Sequence, residues 1–227
     1  MLLTDGQIRE AHESGDILIE PFLEEQLEPA TYDLRVGKQG ATTSTKKIVD
    51  IEKEGYLSIA PGDFAIVTVL EEIRLGAQYA ARFGLRSKFA RKGLIATAGP
   101  QIDPGYHGRL IVGITNLTPR PVSLPFKDDF LSVEFHKLEE PAENPYDGPY
   151  QDVMELRPED IEFITESEGM ALSEVLTTLR SLSENVGALT DDVTKLTAAF
   201  GAVKWAVWIV PAVLAIGMGV LAIVLSQ

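Results

Sequence analysis

The stretch "RSKFARKGLIATAGPQIDPGYHG", residues 86–108, sets a basic cluster, a glycine stop and an acidic D-P-G turn side by side. Arg82, Arg86, Lys88, Arg91 and Lys92 stand together with no carboxylate before Asp103, although the chain carries a net charge of −14. Ser87 and Gly93 bracket "KFARK" as a short helix, with Ser87 near its cap and Gly93 as its stop. A helix N-terminus presents free backbone N–H groups to an anion, and the arginine fork matches phosphate oxygens. On these residues alone, an anion site and a solvated basic face paired with acidic chain are equally open. Asp103-Pro104-Gly105 alone signals only a turn.

Outward from this stretch, the front 150 residues read mainly as β. Thr4 and Gln7 stand at capping-box spacing and open a short helix to about Ser14. β-branched or alternating runs follow: "ILIE" at 17–20, "TYDLRVG" at 31–37, "FAIVTVLEEIRL" at 64–75, "RLIVGITN" at 109–116, "RPVSLPF" at 120–126 and "FLSVEFHKL" at 130–138. Proline and glycine punctuate them at "APGD", "DPGYHG", "LTPRP" and "NPYDGPY". Many short strands with one or two small helices predict a mainly β fold, a barrel or jelly roll.

The motifs "PATYDLRVG" (29–37), "GLRSKFARKGL" (84–94), "QIDPGYHG" (101–108), "ITNLTPRPVSL" (114–124) and "PAENPYDGPYQ" (141–151) resemble the dCTP deaminase branch of the dUTPase superfamily. They follow that family's order and spacing, and the opening "LTDGQIREAHESGDILIEPF" is similar as well. The resemblance covers residues 1–152. It implies a distorted jelly-roll β-barrel, a homotrimer with sites between subunits, and a bound deoxypyrimidine triphosphate whose phosphates hold magnesium (Mg2+). By the same resemblance Arg86, Ser87 and Arg91 match the phosphate-gripping "RSSLAR" pattern, with Lys88 in place of its second serine. Asp103 matches an aspartate near the sugar and the reactive water, and is the candidate catalytic residue. Tyr106 falls where a tyrosine stacks on deoxyribose, and Tyr146 matches a tyrosine that closes on the nucleotide. Ile111 and Val112 complete the expected nucleotide-binding set.

Departures from the family pattern bear on the chemistry. The family's proton-shuttling glutamate aligns with Gly113, which has no proton to move, and such help is typically worth about 10²–10⁴-fold. A phosphate-binding lysine aligns with Pro149, and a glutamine on the late strand with Ser132. Three functions follow. One is a protein that binds dUTP or dCTP and cleaves dUTP to dUMP and diphosphate through Asp103. Another is a dCTP deaminase with a relocated shuttle, for which Glu134 is the candidate. The third is a non-catalytic nucleotide-sensing or scaffold module.

The rest of the chain lies outside the resemblance. Between Glu139 and Glu184 thirteen Asp/Glu face only Arg157 and Arg180, a net of −11 out of −14. The acid therefore concentrates in a segment expected to be an extended, solvated linker, residues 153–170, and nucleic-acid binding is disfavoured. Leu172, Val175, Leu179, Leu182, Val186, Leu189, Val193, Leu196, Phe200 and Val203 alternate spacings of three and four, the mark of a coiled-coil stalk over 171–203. Trp205–Leu225, "WAVWIVPAVLAIGMGVLAIVL", carries no charge over twenty-one residues, enough for a transmembrane helix. Lys204 precedes it, so residues 204–227 are expected to anchor the chain in a membrane with the N-terminal domain cytoplasmic. With no cysteine, thiolate metal sites, thiolate nucleophiles and disulfides are excluded, as a reducing compartment would have it.

Overall fold

The longest strand, Thr31–Thr42, organises the barrel in this computed structural model, which describes residues 1–97, 99, 101–166 and 172–225. Its first half pairs with Asp129–Lys137 and its second with Phe64–Val69. The handover falls at Gly37, where a Cβ would lie 2.4 Å from the Val69 carbonyl oxygen. Only glycine admits so close a backbone crossing.

Around this strand a nine-stranded antiparallel sheet curls in the order Gln101–Ile102, Tyr79–Leu85, Asp129–Lys137, Thr31–Thr42, Phe64–Val69, Ile111–Asn116 and Leu94–Ala96. The two short strands Leu27–Glu28 and Val49–Asp50 pair on the long one. A three-stranded sheet sets Glu72–Leu75 between Ile17–Glu20 and His107–Gly108, and Val122–Pro125 pairs with Tyr56–Ile59. Tyr32, Leu34, Val67, Val112, Phe130 and Phe135 are fully buried at the centre. The mainly β fold read from the sequence is present.

Differences from the sequence reading have physical causes. The run 64–75 is not one strand but two, because Glu71 turns inward at 0% exposure to meet Arg35. Its carboxylate accepts from Arg35 Nε at 2.6 Å and from the Arg35 backbone N–H at 2.9 Å. Strands Tyr56–Ile59 and Leu94–Ala96 are too short, and Tyr79–Leu85 too mixed in residue type, to stand out in the sequence.

Three short helices accompany the sheets: α1 (Asp5–Glu13), α2 (Ile51–Glu54) and α3 (Ser87–Ala90). The expected cap on α1 is made, with the Gln7 side chain accepting the Thr4 N–H at 3.0 Å. Phe89 anchors α3 at 0% exposure while Ser87 and Lys88 stay exposed.

The acidic segment is not an extended spacer in its first half. Residues 141–157 cross the barrel as a strap, bridging Gly108 at Val153, with Arg109 N–H donating to the Val153 carbonyl at 2.8 Å. Helix α4 (Pro158–Glu166) follows. Leu156 and Ile164 are buried against Ala41 and Ile66, with Ile48, Phe64, Ile111 and Ile161 packed around them. Apolar burial outweighs the segment's charge. The remainder of the expected linker, 167–170, lies outside the described residues, as does Ala171.

Met1–Val175 and Leu176–Gln227 form two separate compact units. The second is the greater part of α5 (Leu172–Leu225), a 54-residue helix with Pro211 inside it. Leu179, Leu182, Val186, Leu189, Val193, Leu196 and Phe200 are all exposed along it in the single chain. Among the described residues no helix is long and apolar enough to cross a membrane. Most side chains of the expected anchor, 204–227, lie outside that description.

Truncating Ile164 to alanine should loosen α4 by about 2–4 kcal/mol, the cost of emptying a buried isoleucine site. Hydrogen exchange should then accelerate over 158–166 while strand Ile111–Asn116 stays protected. Unchanged exchange over α4 would mean that the docking contributes nothing.

Candidate nucleotide site

The D-P-G turn is fixed twice over. Gly105 has φ 86°, and a Cβ there would meet Pro145 Cβ at 2.5 Å. Tyr146 donates its backbone N–H to the Pro104 carbonyl at 2.7 Å, and Gln151 Nε2 donates to the Gly105 carbonyl at 3.0 Å. The strap is thus laid directly on the turn, beside a cavity of about 630 Å³. Asp103, Tyr106, Ile111, Gly113 and Tyr146 all line it. Five positions singled out in the sequence meet in one place.

Asp103 is held by Gln101, whose Nε2 donates to Oδ1 at 2.7 Å. Tyr106 is 8% exposed, and burial pushes its phenol up from the ordinary value. Its ring lies 5.8 Å from that of Tyr146 at 57°, an arrangement aromatic pairs favour. The Tyr146 hydroxyl accepts the Tyr150 backbone N–H at 3.2 Å, and Tyr150 also lines the cavity.

At Gly113 the room a side chain would need is occupied. A Cβ would stand 2.8 Å from Thr97 Oγ1 and 3.0 Å from Phe64 Cε2. Thr97 and Phe64 are themselves cavity residues. A carboxylate is absent here, and a side chain at this position would press on the side-chain ends of Thr97 and Phe64. Glu134 does not replace it: it is outside the cavity lining, on the strand Asp129–Lys137, next to His136 Nε2 at 3.2 Å.

The basic cluster stands apart from this lining. Arg86 is paired with the buried Asp33, and sits 3.9 Å from Glu28. Asp33 also accepts from Ser132 Oγ at 2.5 Å. Lys88 is paired with Asp128, and Ser87 and Arg91 lie exposed on and beside α3. In one chain the cluster and the cavity do not form a single site. Val112, also expected to touch ligand, points its side chain into the core at 0% exposure.

Several cavity residues carried no motif signal. Phe64 lies on the strand Phe64–Val69, Thr97 follows Leu94–Ala96 and Arg109 precedes Ile111–Asn116, so the pairing of those strands brings all three to the lining. Asp160 comes from α4, where Arg157 Nη2 donates to Oδ1 at 2.9 Å. Pro158 at the first helical position, followed by Glu159 and Asp160, is the signal that could have found this helix.

The match to known proteins follows this geometry. A dCTP deaminase-like family model matches residues 2–137. This chain belongs to the dCTP deaminase-like family. It is 40% identical over 151 residues to the dCTP deaminase of Pyrococcus horikoshii, covering 66% of this chain and 92% of that one. Against the dUMP-forming dCTP deaminase of Methanothermobacter thermautotrophicus the figures are 34% over 171 residues, 66% and 86%. The crystal structure of a dCTP deaminase from Agrobacterium tumefaciens superposes with a TM-score of 0.52 at 21% identity, over 60% of this chain and 47% of that chain. That likeness supports the fold of this dCTP deaminase-like barrel. The helices α4 and α5 lie beyond the matched family residues.

His107 clasps the strap to the barrel. Its Nε2 lies 2.7 Å from Glu72 Oε1 and its Nδ1 2.5 Å from Asp152 Oδ1. The bond to Glu72 raises its pKa most; burial opposes this, and the bond to Asp152 adds to it. A raised folded-state value stabilises fully below the unfolded value of about 6.5 and is lost as pH climbs through the higher folded value. His107→Gln should therefore cost about 2–4 °C more in melting midpoint at pH 6 than at pH 9, the equivalent of about 1 kcal/mol. Equal losses at both pH values would show that the imidazolium plays no part.

Proposed function

We propose that this chain is a membrane-tethered binder of deoxypyrimidine triphosphates, dUTP or dCTP, that does not deaminate them. The observation that carries the reading is the cavity, which gathers Asp103, Tyr106 and Tyr146 but offers Gly113 where a proton-shuttling carboxylate would have to stand. Family membership supports the ligand class. Tyr106 would pack on the deoxyribose, Tyr146 would close over it from the strap, and Asp103 would hold the sugar side and its water. Without a carboxylate beside the base, water attack at C4 lacks a group to move the proton.

Among the described residues no cluster of three or more acidic or imidazole side chains could hold a metal. Magnesium fits this site as an ion carried on the nucleotide's own phosphates, where it would screen their charge. Because Arg86, Ser87, Lys88 and Arg91 lie outside the cavity lining of one chain, they would reach those phosphates from a neighbouring copy. The exposed apolar stripe on α5 supports such self-association, and a trimer is our reading of it. The uncharged run Trp205–Leu225 supports the tether, with the barrel on the cytoplasmic side.

A second reading, cleavage of dUTP to dUMP and diphosphate, is favoured by Asp103 alone. Its carboxylate lines the cavity and could take a proton from attacking water.

Incubating the purified chain with dCTP or dUTP plus magnesium and separating the products tests both. We expect dCTP to be returned unchanged; its conversion at about 1 s⁻¹ or faster would refute the loss of deamination. Appearance of dUMP and diphosphate from dUTP would move the second reading to first.

Deleting residues 204–227 should leave a soluble trimer, since neither barrel nor stalk requires lipid. A monomer or dimer mass by light scattering would rule out the shared three-fold axis.

A further inference from the structure

Arg109 stands in the cavity wall with most of its donors unused. It lies on the run that enters strand Ile111–Asn116, and Arg109, Leu110, Ile111 and Gly113 of that run line the cavity. The strap fixes its backbone through the bond to Val153 at 2.8 Å. Its guanidinium is held far less firmly. Among the described residues it makes one long hydrogen bond, Nη1 to the Met154 carbonyl at 3.4 Å, and Nε is buried without a partner.

The carboxylates of the cavity are engaged elsewhere. Asp103 accepts from Gln101, and Asp160 is held by Arg157. Arg109 is the cation of the lining among the described residues, since the α3 cluster lies outside it. A guanidinium has five N–H donors, no acceptor and a permanent charge. Arg109 Nε is closed off from solvent, so the donors open to a ligand are those on the Nη groups, where an acceptor oxygen would gain a charge-assisted hydrogen bond. The Arg109 fork gives the strap one long bond, to Met154, and no more among the described residues.

We propose that Arg109 is the ligand-binding cation of this cavity, completing its donor edge on an oxygen of the bound nucleotide. The proposal rests on the nucleotide-binding reading and adds to it a residue that no motif marks. The acceptor is either a base carbonyl or a phosphate oxygen. Both offer the guanidinium the same chemistry.

The test uses the full chain in detergent, titrated by calorimetry with magnesium–dUTP and, separately, with deoxyuridine. Arg109→Met keeps the apolar stem and removes the donors. Its affinity for dUTP should fall about 10-fold to 100-fold, the scale of one charge-assisted hydrogen bond, with the melting midpoint within a few degrees of wild type. A matching loss for deoxyuridine assigns the base carbonyl; an unchanged deoxyuridine affinity assigns the phosphate. Wild-type affinity for dUTP in Arg109→Met overturns the assignment and leaves the nucleotide reading standing. If the wild-type chain binds neither ligand, the nucleotide reading falls and takes this inference with it. Should Arg109→Met not fold, Arg109→Lys decides: it keeps the charge but not the fork, so a several-fold loss supports the proposal and an unchanged affinity overturns it.

Discussion

The crossing of the long strand Thr31–Thr42 over Val69 is the constraint on which the rest of the molecule depends. At every second position along it, the strand commits a different part of the fold. Asp33 takes Arg86 and Ser132, fixing the start of α3. Arg35 takes Glu71 and so breaks the neighbouring run into two strands. Gly37 makes the crossing itself. Gln39 accepts the Leu156 backbone N–H at 2.7 Å, and Ala41 packs with Leu156 and Ile164 beneath α4. The Arg35–Glu71 pair is buried, so its value lies in mutual satisfaction: either partner alone would leave a charge in the core. Even so, Arg35 Nη2 is left without a partner.

How much of this was legible in the sequence depends on whether the signal was local. Strands with β-branched alternation and clear turn punctuation stood out, such as Ile17–Glu20, Ile111–Asn116 and Asp129–Lys137. Tyr79–Leu85 did not, because "YAARFGL" mixes small, charged and apolar residues and earns its place through pairing with Asp129–Lys137. The acidic strap misled for a different reason. Charge density argued for a solvated spacer, yet three apolar residues, Leu156, Ile161 and Ile164, pack it down on the barrel. Net charge describes how a segment meets water, while a few well-spaced side chains decide what it packs against.

The site was legible in part for the same reason. Asp103, Tyr106 and Tyr146 belong to motifs and Gly113 to a β-branched run, and all four converge on one cavity. The residues that decide what can happen there, Phe64, Thr97, Arg109 and Asp160, arrive from four separate segments and share no local pattern. Their relevance comes from register: Ile66 opposite Gly113 and Ala96 opposite Ile114 bring Phe64 and Thr97 to the same spot. The basic cluster lies outside this cavity in one chain, where Asp33 and Asp128 engage Arg86 and Lys88.

Gly113 also sets a direction for change. A lost carboxylate with its space kept open can be regained by a single substitution. Here the side-chain ends of Thr97, itself exposed, and Phe64 stand at 2.8–3.0 Å, so a side chain enters only as those two turn aside. An acid at this position is therefore a matter of three residues at once: the substitution fits only in the rotamers that Thr97 and Phe64 leave open to it.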